Sequence, residues 1–216
     1  MQTAMKRTVA ALAVLLSVFV AVSSAGAEVL GRRSIGIGIG MTRVGDVTID
    51  QTSLDFSARM RLPVSRNFDI IAFHQQAMLE GYDYQAQGAP HVKSKSSEYG
   101  VGLDCHFLPK RPVDPFISVG ISNAMVDTIV DGRPTYADEH LQLRFGGGAE
   151  INVQQNISLI LGVAYQDSFQ DAYESDLSAS IWLNGWLSDL LLAGVGVEGS
   201  FDTGDTSASI RVAYGF

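Results

Sequence analysis

The sequence predicts an all-β fold, an antiparallel up-and-down β-barrel of ten strands that crosses a membrane, with eight strands as the alternative count. Segments of about ten residues alternate apolar and polar side chains with period two, the signature of strands with one greasy face. Their connectors alternate between short turns and longer polar stretches, as in a meander that closes on itself. After Glu28 there is neither a helical period nor an 18-residue apolar run, so a membrane would have to be crossed by sheet.

Each strand rests on its own alternation. From Arg33 to Met41, Ile35, Ile37, Ile39 and Met41 oppose Ser34, Gly36, Gly38 and Gly40. From Thr52 to Leu62, Leu54, Phe56, Ala58, Met60 and Leu62 oppose Asp55, Ser57, Arg59 and Arg61, the cleanest pattern in the chain. From Phe68 to Leu79 the phase is ambiguous, because Ile70, Ile71 and Phe73 occupy both faces, and a bulge would account for it. Ser97 to Phe107 sets Tyr99, Val101, Leu103, Cys105 and Phe107 outward and Gly100, Gly102, Asp104 and His106 inward. The remaining strands are Phe116 to Met125, His140 to Ile151, Ile157 to Tyr165, Asp176 to Trp186, Leu191 to Phe201 and Ser207 to Phe216. The strands near Phe68 and Phe116 are the weak ones, and losing both gives the count of eight.

The amino end predicts export. Lys6 and Arg7 precede an apolar run from Val9 to Val22, and Ala25-Gly26-Ala27 suits signal-peptidase cleavage, so residues 1–27 read as a leader and 28–216 as the barrel domain. Without Lys6 and Arg7, 13 basic residues face 23 acidic ones, a net charge of −10. That balance excludes nucleic acid as a partner, since phosphate binding needs a basic surface. A single cysteine, Cys105, leaves no internal disulfide and reads as apolar filler.

If the apolar faces point to lipid, the inner positions hold Asp55, Arg59, Arg61, Asp104, His106, Arg144, Glu150, Glu198 and Arg211. A barrel of this size has a lumen that side chains can fill. We therefore expect these charges to pair into a plug, with a narrow conduit as the alternative. The aromatics Phe68, Tyr99, Phe107, Phe116, Tyr165, Trp186, Tyr214 and Phe216 sit near strand ends, where interfacial rings are favoured. The longer connectors, from Glu80 to Ser96 and from Asp127 to Glu139 among them, gather fifteen carboxylates against Arg43, Lys93, Lys95 and Arg133. Glycines at Ile35 to Gly40 and at Gly146-Gly147-Gly148 open no helix and precede no Lys-Ser/Thr, so they are not phosphate loops.

The final segment Ala208 to Phe216, with Ile210, Val212, Tyr214 and Phe216 on one face, resembles the closing strand of small bacterial outer-membrane β-barrel proteins, the opacity/OmpA-like class. The resemblance covers the leader, the strand rhythm and the terminal Phe216, which mark the class and fingerprint no single family. It implies a monomer in the outer membrane, in contact with lipid and lipopolysaccharide. It also makes Tyr214 and Phe216 the signal read by the barrel-assembly machinery, and it gives the loops structural, adhesive or surface-interaction work. No cofactor or metal is expected. Asp138-Glu139-His140 resembles the Asp-x-His element of the omptin proteases, but their second element, an aspartate pair, has no Asp-x-Asp counterpart here. We therefore expect no enzyme, a surface hydrolase being the second alternative.

Overall fold

The computed structural model describes residues 31–43, 52–82, 90–169 and 175–216. They form β1 (Ser34–Arg43), β2 (Thr52–Pro63), β3 (Phe68–Tyr82), β4 (His91–His106), β5 (Val113–Val130), β6 (Arg133–Gln154), β7 (Ile157–Ser168), β8 (Asp176–Trp186), β9 (Leu191–Ser200) and β10 (Thr206–Gly215). Every neighbouring pair is antiparallel, and β1 pairs with β10, so the sheet closes into a ten-stranded barrel. Closure satisfies the backbone of every strand and leaves no edge at the level where all ten run side by side. The predicted leader, residues 1–27, and the carboxylates Asp46, Asp50, Asp83, Asp171 and Glu174 lie outside the described residues.

The register fixes which side chains look out. Ile37 pairs with Ala58 and Val212, and Ile39 with Phe56 and Ile210, so one apolar band runs round the wall. The large side chains of this band are exposed, Ile37 by 70%. A soluble barrel would turn this face inward, whereas hydrocarbon accepts it. Among the described residues no helix is long and apolar enough to cross a membrane, so the crossing is made by the sheet.

Three expectations change. β3 carries no bulge: it pairs with β2 and β4 in unbroken register, and Asp69, Ile71, Phe73 and Gln75 all face inward. Its mixed sequence reflects apolar residues on the inner face, where Gly100 and Gly102 of β4 leave room for them. The bulges lie instead near Thr128 in β5 and Asn152 in β6. Second, Trp186 and Phe116 are not interfacial. Trp186 faces inward and packs with Leu192, Ile160 and Ala213, while Phe116 shares the inner face with Ser118 and pairs with His106. Third, much of the predicted loop sequence is strand. Asp127 to Glu139 is a hairpin turning on Asp131-Gly132, both with positive φ (47° and 76°), the geometry that a two-residue hairpin turn demands and that Asp-Gly supplies. Lys93, Lys95 and Ser96 likewise belong to β4.

As a result the barrel is lopsided. β1, β9 and β10 have 10 residues each, whereas β5 has 18 and β6 has 22. On the outer surface the apolar band stops at a polar row, where the Asn123 amide donates to Tyr99 Oη (2.8 Å) and Glu139 Oε1 (2.5 Å). Beyond that row β4, β5 and β6 continue as a wall of paired strand, with β3 alongside and itself paired to β2 as far as Leu79. From Asn123 to Val130, at about 3.4 Å per residue and a tilt near 40°, the wall rises roughly 20 Å.

Candidate functional site

Alternation along the strands brings all nine sequence-predicted lumen residues to the inner face, but not into one network. At the short-turn end lies a floor of buried charged side chains. Arg61 reaches Asp69 through Nη1 (2.8 Å) and Asp104 through Nη2 (3.0 Å), and all three are buried. His106 is set between Asp69 and Asp114, with Nε2 3.1 Å from Asp69 Oδ2 and Nδ1 3.2 Å from Asp114 Oδ2. Ser118 Oγ donates to Asp104 Oδ1 (2.6 Å). The backbone N–H of Leu108 donates to Asp114 Oδ1 (3.0 Å) and that of Gly31 to Asp69 Oδ2 (2.8 Å), tying the floor to the adjoining chain. Glu150, level with Asp114 in register, is fully buried, as are Ser158 and Asn184, which pair with each other on β7 and β8. Trp186 and Leu192 complete the floor on the β8–β9 side.

Above the floor is a cavity of about 350 Å³, lined by Arg59, Arg61, Arg144 and Arg211 together with Asp104 and Glu198. Arg211 lies over the Trp182 ring, its guanidinium carbon 4.3 Å from the centroid, and donates from Nε (3.1 Å) and Nη2 (2.5 Å) to Asn184 Oδ1. The bare backbone of β9 makes this possible. A side chain at Gly196 would run into the Trp182 ring, and a Cβ at Gly194 would come 2.5 Å from Asn184 Oδ1 and 3.1 Å from Arg211 Nε. Arg144 Nη1 is 3.6 Å from Glu98 Oε1 and stands over the Phe73 ring. Glu198 accepts from Ser178 Oγ (3.0 Å). Asp55, nearer the long-loop end, accepts from Thr42 Oγ1 (2.5 Å) and Ser53 Oγ (2.7 Å). The predicted pairing of four arginines with four carboxylates therefore fails in detail. Only Arg61 and Arg144 have carboxylates within 4 Å among the described residues, and two of the partners, Asp69 and Glu98, are not among the predicted nine.

The sequence missed Asp69 and Asp114. Asp69 was hidden by the ambiguous phase of β3, although an outward Phe68 would have placed it inside. Asp114 sits beside Pro115 in a segment that reads as a turn.

The Asp138-Glu139-His140 element lies on β6, with Asp138 and His140 inside and Glu139 outside. His140 Nδ1 is 3.3 Å from Asp138 Oδ2, while its Nε2 accepts from the Gln142 amide at 2.9 Å. The nitrogen that a general base would present to water is thus occupied. Outside the membrane band, Glu80 Oε1 is 2.8 Å from Lys93 Nζ and 3.2 Å from His91 Nε2, and the Lys93 ammonium holds its carboxyl below the ordinary glutamate range. Among the described residues no cluster of His, Cys, Asp or Glu has the makings of a metal site.

A closed sheet with a lipid-compatible exterior and a charged interior defines a transmembrane β-barrel. The family model for the outer membrane protein beta-barrel domain matches residues 10–216, and the chain belongs to that family. Its fold is similar to the translocator domain of autotransporter NalP from Neisseria meningitidis, with a TM-score of 0.52 and 8% identity over 100% of this chain and 96% of that one. It is also similar to the transport unit of the autotransporter AIDA-I from Escherichia coli, with a TM-score of 0.52 and 11% identity over 95% and 97% of the two chains. Ail, the attachment invasion locus protein of Yersinia pestis, aligns over 85% of this chain and 95% of its own at 11% identity and a TM-score of 0.42. A search of curated proteins finds no match. The protein is a bacterial outer-membrane barrel.

Proposed function

We propose that this protein is a monomeric surface-interaction protein, in which the wall built by β3 to β6 meets partners outside the cell and the floor closes the lumen below. The disparity of strand length carries this reading: 18 and 22 residues in β5 and β6 are far more than the 9 to 11 or so that cross a bilayer. The excess is ordered as paired strand, which presents side chains at fixed spacing. Export by the cleaved leader and assembly through the C-terminal strand ending at Tyr214 and Phe216 belong to the same proposal, as does the acidic character of the outer loops facing lipopolysaccharide.

The test is to trim the β5–β6 hairpin. Val126 and Asp138 are paired, so residues 127–137 can be replaced by Asn-Gly without changing the register below. Cells displaying the full protein should adhere to matrix proteins or glycans, and cells displaying the trimmed barrel should not, with unchanged heat-modifiable gel mobility. Equal adherence by both would refute the role of the wall. Planar bilayers test the floor separately: a closed barrel gives no resolved conductance, whereas steady single-channel steps would favour a narrow solute channel.

A further inference from the structure

We propose that the lumen is a binding site for a small oxyanion, held between Arg59 and Arg211. These two residues flank β1 from opposite sides. Arg59 of β2 is level with Gly36, and Arg211 of β10 is level with Gly38. The inner face of β1 is therefore bare between them, and both guanidinium groups line the same cavity.

Charge in that cavity is unbalanced. Of its carboxylates, Asp104 is committed to Arg61 and Ser118, and Glu198 accepts from Ser178. Arg144 has Glu98, at 3.6 Å. Neither Arg59 nor Arg211 has a carboxylate within ion-pair distance among the described residues. Two like charges confined by a low-dielectric wall focus a positive potential and concentrate counter-ions. Guanidinium groups add shape to that field, because their paired donors match the oxygens of phosphate, sulfate or carboxylate.

Arg211 is also preorganised for the task. Stacking on Trp182 and donation to Asn184 fix its plane, and both interactions leave Nη1 free to donate. A guanidinium whose rotamer is already fixed loses little entropy on taking a ligand. The volume of about 350 Å³ accommodates an inorganic oxyanion or a small solute that carries one. Entry is from the outer side, since the floor of Arg61, Asp69, His106 and Asp114 lies beneath. Gln75 of β3, one pleat beyond Phe73, lines the cavity and is exposed. The site does not depend on what the projecting wall binds.

The experiment is calorimetric titration of the full barrel, refolded in detergent at pH 7 and low ionic strength, with sodium sulfate and with sodium phosphate. Saturable one-to-one binding is expected. Arg59→Gln and Arg211→Gln should each weaken it by about tenfold or more, the scale of one lost charge-assisted contact. Lys93→Gln, outside on the wall, should leave it unchanged. Gel mobility reports folding, and if either lumen variant fails to fold, Arg59→Lys keeps the charge and tests the fork geometry, with weaker phosphate binding expected. Absence of saturable binding to the parent protein, or equal affinity in the folded Arg59→Gln and Arg211→Gln variants, overturns the proposal.

Discussion

Replacing Arg61 with methionine isolates the chemistry of the floor. Methionine keeps most of the unbranched stem, so the loss of packing is small, and what disappears is the guanidinium bridging Asp69 and Asp104. Those carboxylates are 0% and 3% exposed. Removing one partner from a buried ion pair costs about 3–5 kcal/mol, because the charge left behind can neither pair nor hydrate. Asp69 keeps His106 and the Gly31 N–H, and Asp104 keeps Ser118, which places the expected loss near the lower end of that range, about 3 kcal/mol. Adding Asp104→Asn removes one of the stranded charges, and the double variant should regain about 1–2 kcal/mol of the loss. Equilibrium urea unfolding in lipid vesicles measures both. The chain's two tryptophans, Trp182 and Trp186, face inward and report opening of the lumen by fluorescence. A loss below about 1 kcal/mol, or a double variant no more stable than the single one, would mean that the floor is hydrated and the pairing incidental.

Other outcomes follow from the same geometry. Gly196→Val drives a side chain into the Trp182 ring and should cost about 1–3 kcal/mol or more, with a shift in tryptophan emission. Ile37→Arg puts a charge near the middle of the lipid-facing band and should cost about 2–4 kcal/mol in vesicles, and no measurable cost would refute the outward assignment. Lys93→Met should move the Glu80 titration, followed by NMR, back up toward the ordinary glutamate range. The Lys93 contact acts while Glu80 is ionised, so its contribution is present above that range and vanishes as pH falls through the lowered value.

The strands and their orientation were legible because period two leaves little choice: once Leu54 and Phe56 face lipid, Asp55, Arg59 and Arg61 must face in. Partners were not legible. Arg61 finds Asp69 across one strand boundary and Asp104 across two, a relation set by stagger and not by spacing along the chain. The apolar residues inside were hidden for a related reason. Ile71, Phe73 and Trp182 break the expectation of a polar lumen, and what admits them is glycine on the neighbouring strand, at Gly102, Gly100 and Gly196. The Asp131-Gly132 turn was written in the sequence, with strand-forming residues on its amino side, and the polar surroundings masked it as a loop.

Arg59 and Arg61 show why the two levels of the lumen need different chemistry. They lie on the same face of the same strand, one pleat apart, about 7 Å. Arg61 is buried and meets carboxylates from β3 and β4. Arg59 is level with Phe73 and Gly36, which offer it no counter-charge, and it is exposed to the lumen. A guanidinium without water must be paired, whereas one that water reaches can await an external partner. Loss of charge should accordingly cost stability at Arg61 and scarcely any at Arg59, even though the sequence presents the two as equivalent. Evaluating both neutral variants in one unfolding series separates the structural end of the lumen from the end left available for a ligand.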